Sequence, residues 1–398
     1  MTVSVDAEAV RRGLQGEVEP MLEQIDRLAS IDSGSDDAAG VGLVCAELGA
    51  ILSAAGFSVS PRPEGGLAGT IVLGTGPRLL IVGHADTVWP AGTAAAWPPR
   101  RDQTMMSGPG VGDMKSCLVM AVHAVVAAQR AGADGVGEVE LLVVGDEELG
   151  SPRSRPWIEE RARGAAACLG LEAGWPGGGV VTARGAVGAL QVKAHGRAAH
   201  CAGHEGPGAS AVAALAPIVG RLEDLSRPEQ ELLVTVGVFR GGFARQVVPE
   251  TAELSIDLRA PSPDSAERLV AQMRAVVDSA DGGGGVQLHL SGGITRPAFP
   301  QAMSRELFGL MNVRALQLGV PLAAVASRGG SDASFAAALG VPTLDGLGPI
   351  CHDSCARGER IEIASLADRG ALMTLLILDL AARWRYQARA SGKVDTPA

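Results

Sequence analysis

The texture of the chain changes twice along its length, and this limits the folds open to it. Up to about residue 180, short apolar runs of strand length recur at 70–73, 79–82, 139–144 and 166–171, with a helical stretch at 115–129 between the second and third. Helix spacing precedes them, in Val18, Met21, Leu22, Ile25 and Leu28, and in Val41, Val44, Leu48 and Ile51 after the polar turn Ser33-Gly34-Ser35-Asp36. Apolar runs alternating with helices predict an α/β fold with a central, mostly parallel sheet flanked by helices. From about Val181 the segments lengthen and alternate in polarity (189–194, 232–239, 251–258, 286–290), separated by helical stretches near 209–222 and 265–277. Two-periodic strands with two helices on one face predict a smaller α+β sandwich. The glycine run 282–285 reads as a flexible turn inside it. After Arg296 helix, strand and helix return, ending in a segment, 365–383, that reads as amphipathic. The expected organisation is a catalytic domain made of residues 1–182 and 296–398, interrupted by an inserted domain at 183–295.

Composition narrows the function classes. A length of 398 residues suits two domains, and 46% hydrophobic against 20% charged residues is a globular profile. Aromatics are 3% of the chain, with Tyr386 the single tyrosine. Cores must therefore be built from Ala, Val and Leu, and a base-stacking site is not expected. A net charge of −10 without a Lys/Arg cluster argues against nucleic acid or an anionic membrane as partner. Residues 1–19 mix charges and have no apolar leader core, and the most apolar run, 371–378, is too short to span a bilayer. Six scattered cysteines suit free thiols in a reducing compartment, which places the protein in the cytoplasm. Cys351 and Cys355 flank His352 as in a metal knuckle, but no second cysteine pair completes a closed four-ligand zinc site.

Chemistry-bearing residues follow apolar strands and glycine turns. His84-Ala85-Asp86-Thr87-Val88 comes directly after run 79–82. Residues two apart on an extended backbone share a face, and a carboxylate beside an imidazole fixes its tautomer. Gly108-Pro109-Gly110-Val111-Gly112-Asp113 forms a tight turn before a helix, so Asp113 is either an N-cap or a metal ligand. It is not a phosphate cradle, because the Gly-Lys-Ser/Thr ending is missing. Asp146-Glu147-Glu148 follows run 139–144 and is either a solvated loop or a pair that divides metal binding and proton transfer. Glu172 closes run 166–171, and His352 follows the loop 346–351. Taken together, His84, Asp113, Glu148, Glu172 and His352 lie at the expected rim of one sheet. Oxygen and imidazole donors suit zinc, with cobalt or manganese as substitutes.

These motifs resemble, in order and spacing and nearly end to end, the dizinc metallopeptidases that include glutamate carboxypeptidase, acetylornithine deacetylase, succinyl-diaminopimelate desuccinylase and aminoacylase. Thr295-Arg296-Pro297-Ala298-Phe299 and Gly329-Gly330-Ser331-Asp332-Ala333 resemble the bacterial glutamate carboxypeptidase branch. The resemblance implies two zinc ions per chain, one on His84, Asp113 and Glu172 and one on Asp113, Glu148 and His352, with Asp113 bridging. It implies that Asp86 orients His84, that Glu147 is the general base, and that Arg296 and Gly330 meet the substrate. His200, in Gly196-Arg197-Ala198-Ala199-His200, would reach the partner's active site in a homodimer joined through the inserted domain.

The implied reaction is hydrolysis of an amide or peptide bond beside a free carboxylate. The implied substrate is a small N-acyl amino acid, dipeptide or glutamate conjugate. The alternatives are an N-acyl-amino-acid deacylase or dipeptidase, and an inactive metal-binding relative with a regulatory role. Two departures bear on specificity. Gln246 precedes Val247-Val248-Pro249 where the family has Asn, and 173–180 lacks the lysine expected of a glutamate-specific site.

Overall fold

The computed structural model describes residues 5–62, 65–203, 206–280 and 284–390. Gly282 and Gly283 of the glycine run lie outside them. The chain forms two compact units, Met1–Ala183 with Pro300–Ala326 and Ser331–Ala398, and Arg184–Phe299 with Ser327–Gly330.

The first unit is built on a six-stranded sheet in the order Ser58–Pro61, Gly66–Val72, Glu138–Val144, Arg78–His84, Ala165–Gly170, Thr343–Leu344. The last four strands are parallel, while Gly66–Val72 runs antiparallel to both of its neighbours. The continuous apolar runs are explained by burial on both faces, as parallel strands require. Leu79 and Ile81 point into one core, with helices Val18–Ala29, Ala38–Ala54 and Ser116–Arg130. Leu80 and Val82 point into the other, with Ile158, Ala162 and Phe335. The stretch Val111–Arg130 is long and apolar enough to cross a membrane, but 78% of its apolar window is buried inside the protein.

The C-terminal helix Ile363–Ala390 departs from expectation. Instead of one apolar stripe, every residue from 369 to 381 is buried. Helices Ala7–Gln15, Ser116–Arg130 and Arg305–Leu318 pack around it, so its polar positions must find partners inside. Asp379 does so with Arg314, whose Nε donates to Oδ2 at 2.8 Å, with the two side chains 0% and 1% exposed.

The second unit has an antiparallel sheet in the order Leu233–Gly241, Thr251–Ala260, Ala186–His195, Gln287–Arg296, with helices Ala211–Glu223 and Pro263–Asp278 on one face. Alternation is clean. Ala252, Leu254, Ile256, Leu258 and Ala260 are buried, and the residues between them are not.

Replacing Arg314 with Met strands the Asp379 carboxylate in a dry core and should cost about 3–5 kcal/mol of stability. Adding Asp379→Leu should recover most of that loss. Denaturant unfolding of the single and double variants checks both expectations.

Candidate metal centre

Parallel pairing sets the site. Val82 pairs with Gly170, and His84 with Val144, so three strands end at the same edge and the loops that leave them meet there. His84 is itself a strand end. Its Nδ1 lies 2.9 Å from the Asp86 main-chain oxygen and 3.4 Å from Oδ1, and its Nε2 lies 3.2 Å from Asp113 Oδ1. A proton on Nδ1, shared with the Asp86 carbonyl, would leave Nε2 to serve as a metal ligand. Burial opposes protonation of the ring, but hydrogen bonds with Asp113 and Asp86 outweigh it and raise the pKa well above its ordinary value.

The Asp86 carboxylate has a second duty besides the one its spacing suggests. Fully buried, it accepts the Glu147 N–H on Oδ1 and the Glu148 N–H on Oδ2, both at 3.1 Å, and the Ser35 hydroxyl at 2.7 Å. It pins the acid pair rather than only the imidazole. The triplet also divides: Asp146 is buried and accepts the N–H groups of Arg153 and Ser154 just before helix Arg155–Ala162. Asp146 thus has a structural role.

Asp113 is not an N-cap. The following helix starts at Ser116, and the Asp113 carboxylate turns instead toward His84, Ser354 and Cys355. Burial works against its charge, yet His84 holds its pKa down at about 2. Its turn is gripped by a residue that the sequence did not single out. Glu359, 0% exposed, accepts the N–H of Gly112 at 2.8 Å and of Asp113 at 3.1 Å on one oxygen. No local pattern announces a contact across 246 residues. Glycine is required at 112, where a Cβ would lie 2.1 Å from Cys351 Sγ.

Ligand atoms of His84, Asp113 and Glu172 lie within 4.8 Å of one another, as do those of Asp113, Glu148 and Cys355. His352 is not among either set. It sits in the short strand Cys351–His352, and its Nε2 is 2.8 Å from Glu362 Oε1. The donors fit divalent cations. Glu148 Oε1 is buried with no hydrogen-bond partner among the described residues. Burial, with Asp113 and Glu147 adding to it, pushes the Glu148 carboxyl up to about 8.

The remaining expected residues belong to the second unit. His200 is exposed, and its Nδ1 accepts the Ala202 N–H at 3.1 Å. The adjacent Cys201 N–H donates to the Gln246 carbonyl at 3.0 Å. Arg296 ends strand Gln287–Arg296 and is 2% exposed. Gly330 lies against it, where a Cβ would come within 2.9 Å of Arg296 Cγ. The absence of a side chain at 330 gives the Arg296 stem its space.

Glu359→Ala frees the turn that presents Asp113 and should weaken metal binding by about 10–100-fold, the usual effect of losing a group that orients a ligand. Glu359→Gln keeps an oxygen that accepts both N–H groups and should bind nearly as tightly as the parent. Competition against a chromophoric chelator reads both, and an alanine variant with parental affinity would refute this role for Glu359.

Residues 80–379 match the model of peptidase family M20/M25/M40. Carboxypeptidase G2 of Pseudomonas sp. (strain RS-16) is 26% identical over 374 residues, covering 91% of this chain and 89% of its own. Succinyl-diaminopimelate desuccinylase of Xanthomonas oryzae pv. oryzae (strain MAFF 311018) is 29% identical over 327 residues, covering 76% and 83%. Among solved structures, aminopeptidase PepT from Bacillus cereus ATCC 10987 superposes with a TM-score of 0.73 at 21% identity, covering 92% of this chain and 99% of its own. The M20 family metallo-carboxypeptidase Sso-CP2 from Sulfolobus solfataricus does so with 0.70 at 16%, covering 91% and 99%. With a family model matched over most of its length and its acidic and imidazole donors gathered at one sheet edge, this chain belongs to peptidase family M20/M25/M40.

Proposed function

We propose that the protein is a metal-dependent hydrolase of carboxypeptidase type, cleaving an amide or peptide bond beside a free carboxylate. The observation that carries this reading is the pair of ligand sets sharing Asp113, with Glu147 held beside them through Asp86. His84, Asp113 and Glu172 would hold one divalent ion, and Asp113 and Glu148, joined by His352, the other. Zinc suits this set, and cobalt or manganese could replace it. When bound, such ions polarise a carbonyl and make water a better nucleophile near neutral pH.

The chain's own groups do the rest. Glu147 takes the proton of the attacking water and passes it to the leaving amine. Its backbone is fixed by Asp86, so the carboxylate can move a proton without the loop moving. Arg296 grips the substrate carboxylate in a charge-assisted fork, with its stem set by Gly330. His200 donates to the oxyanion that develops at the scissile carbonyl. We place His200 in the neighbouring protomer's site, with residues 183–295 as the dimerisation domain. Among the described residues, strand Leu233–Gly241 pairs on one side only, an edge open to pairing across a twofold axis. All six cysteines are free, which supports a reducing compartment such as the cytoplasm.

A second reading, an N-acyl-amino-acid deacylase or dipeptidase, is favoured by the absence of lysine from 173–180 and by the desuccinylase relative. Turnover of N-acyl amino acids against glutamate conjugates and dipeptides separates the two.

Glu147→Gln should abolish turnover while metal analysis still finds two ions per chain. Loss of both ions would mean that Glu147 and Glu148 have exchanged roles, and retained turnover would remove Glu147 as proton carrier. Mixing inactive His200→Ala chains with inactive Glu147→Gln chains should restore activity after subunit exchange, because a mixed dimer then has one intact site. A mixture that exchanges subunits and stays inactive would place His200 in its own chain's site, or in none.

A further inference from the structure

The segment Cys351-His352-Asp353-Ser354-Cys355 distributes its metal-binding groups unevenly. Cys351 is buried beneath Gly112, and His352 is engaged by Glu362. Cys355 goes elsewhere. Its Sγ lies 3.2 Å from Asp113 Oδ2, the carboxylate oxygen not used by His84, and the Ser354 hydroxyl lies 3.0 Å from the same atom. Sulfur and the carboxylate oxygens of Asp113 and Glu148 fall within 4.8 Å of one another. Independently of the cysteine, Glu148 offers a buried oxygen without a hydrogen-bond partner among the described residues.

We propose that Cys355 is a thiolate ligand at the second metal position, giving Asp113 and Glu148 a sulfur partner there. The inference rests on the two-ion reading above and adds a donor of a different kind. Zinc bonds of about 2.3 Å to sulfur and about 2.0–2.2 Å to oxygen let donors this close share one ion. On binding, the thiol proton leaves to solvent and the sulfur lone pair forms the bond, so the charge at the position changes without any oxidation. A mixed sulfur and oxygen set is softer than carboxylates and imidazole alone, and it favours zinc or cobalt over manganese or magnesium. The ligation does not require His352 to leave Glu362.

Cobalt titration of the metal-depleted full-length protein tests this by absorbance. Wild-type protein should develop visible ligand-field bands, which report ion binding. It should also develop a near-ultraviolet sulfur-to-cobalt charge-transfer band, which reports a thiolate ligand. Cys355→Ser, at an exposed position and checked for fold by circular dichroism, should lose the charge-transfer band while keeping visible bands. It should bind the second ion at least about tenfold more weakly, no less than the loss of an outer partner costs. His352→Ala should retain the charge-transfer band. Visible bands without charge transfer in the wild type would overturn the proposal and leave the two-ion reading standing. Charge transfer that persists in Cys355→Ser would overturn it in favour of another cysteine, and failure to bind cobalt at all would overturn both readings.

Discussion

Parallel pairing of Arg78–His84 with Glu138–Val144 and Ala165–Gly170 is the constraint on which the site depends. In a parallel ladder all carboxyl ends fall on one edge, so the residues that leave each strand are neighbours although they are far apart in sequence. The pairing of His84 with Val144 brings the imidazole level with the start of the acid loop, and Glu172 follows two residues after Gly170. A one-residue slip in either pairing would exchange the two faces and turn Leu80 and Val82 out of their core. The core that selects the register thereby positions the donors.

Bringing Asp113, Glu148 and Glu172 together carries an electrostatic cost that the protein alone only partly offsets. His84 compensates Asp113, and the Asp86 carboxylate is satisfied by two backbone N–H groups and a hydroxyl. Glu148 is helped least: His84 eases its charge, but burial and its acidic neighbours push its carboxyl up. A fold that invests a fully buried aspartate in anchoring the backbone of two further acids is organised around positive charge supplied from outside. Rigidity follows from the same arrangement, because the acid loop is tied to the sheet at Asp86 and to the next helix at Asp146.

The fold was largely legible because its strands obey periodicity. Continuous apolar runs marked the parallel sheet, and two-residue alternation marked the second unit. What escaped was set by tertiary context. Segment 365–383 read as amphipathic, yet Arg369 and Asp379 within it are both buried, Arg369 on the carbonyls of Gly346 and Gly348 and Asp379 on Arg314. In the site, His84, Asp113, Glu148 and Glu172 stood out because each follows a strand or a glycine turn. Glu359 and Ser35 did not, since both act only through hydrogen bonds to residues remote in sequence. His352 stood out because it follows the loop 346–351, and in the structure its Nε2 lies beside Glu362 Oε1.

The donors from the C-terminal part of the chain are delivered differently from those on the central sheet. They ride on a small antiparallel sheet in the order Cys351–His352, Arg360–Glu362, Met105–Ser107, Arg100–Arg101. Its register pairs Arg360 with both His352 and Ser107, placing the 353–359 loop over the Asp113 turn. Three contacts lock loop to turn: Cys351 Sγ in the space left by Gly112, Glu359 on two backbone N–H groups, and Ser354 on Asp113 Oδ2. Asp113 is therefore positioned from two directions, by His84 on the large sheet and by this loop on the small one. Two ions that share Asp113, one on each carboxylate oxygen, would join the two sheets, so metal binding and the order of the 351–362 hairpin should form one equilibrium.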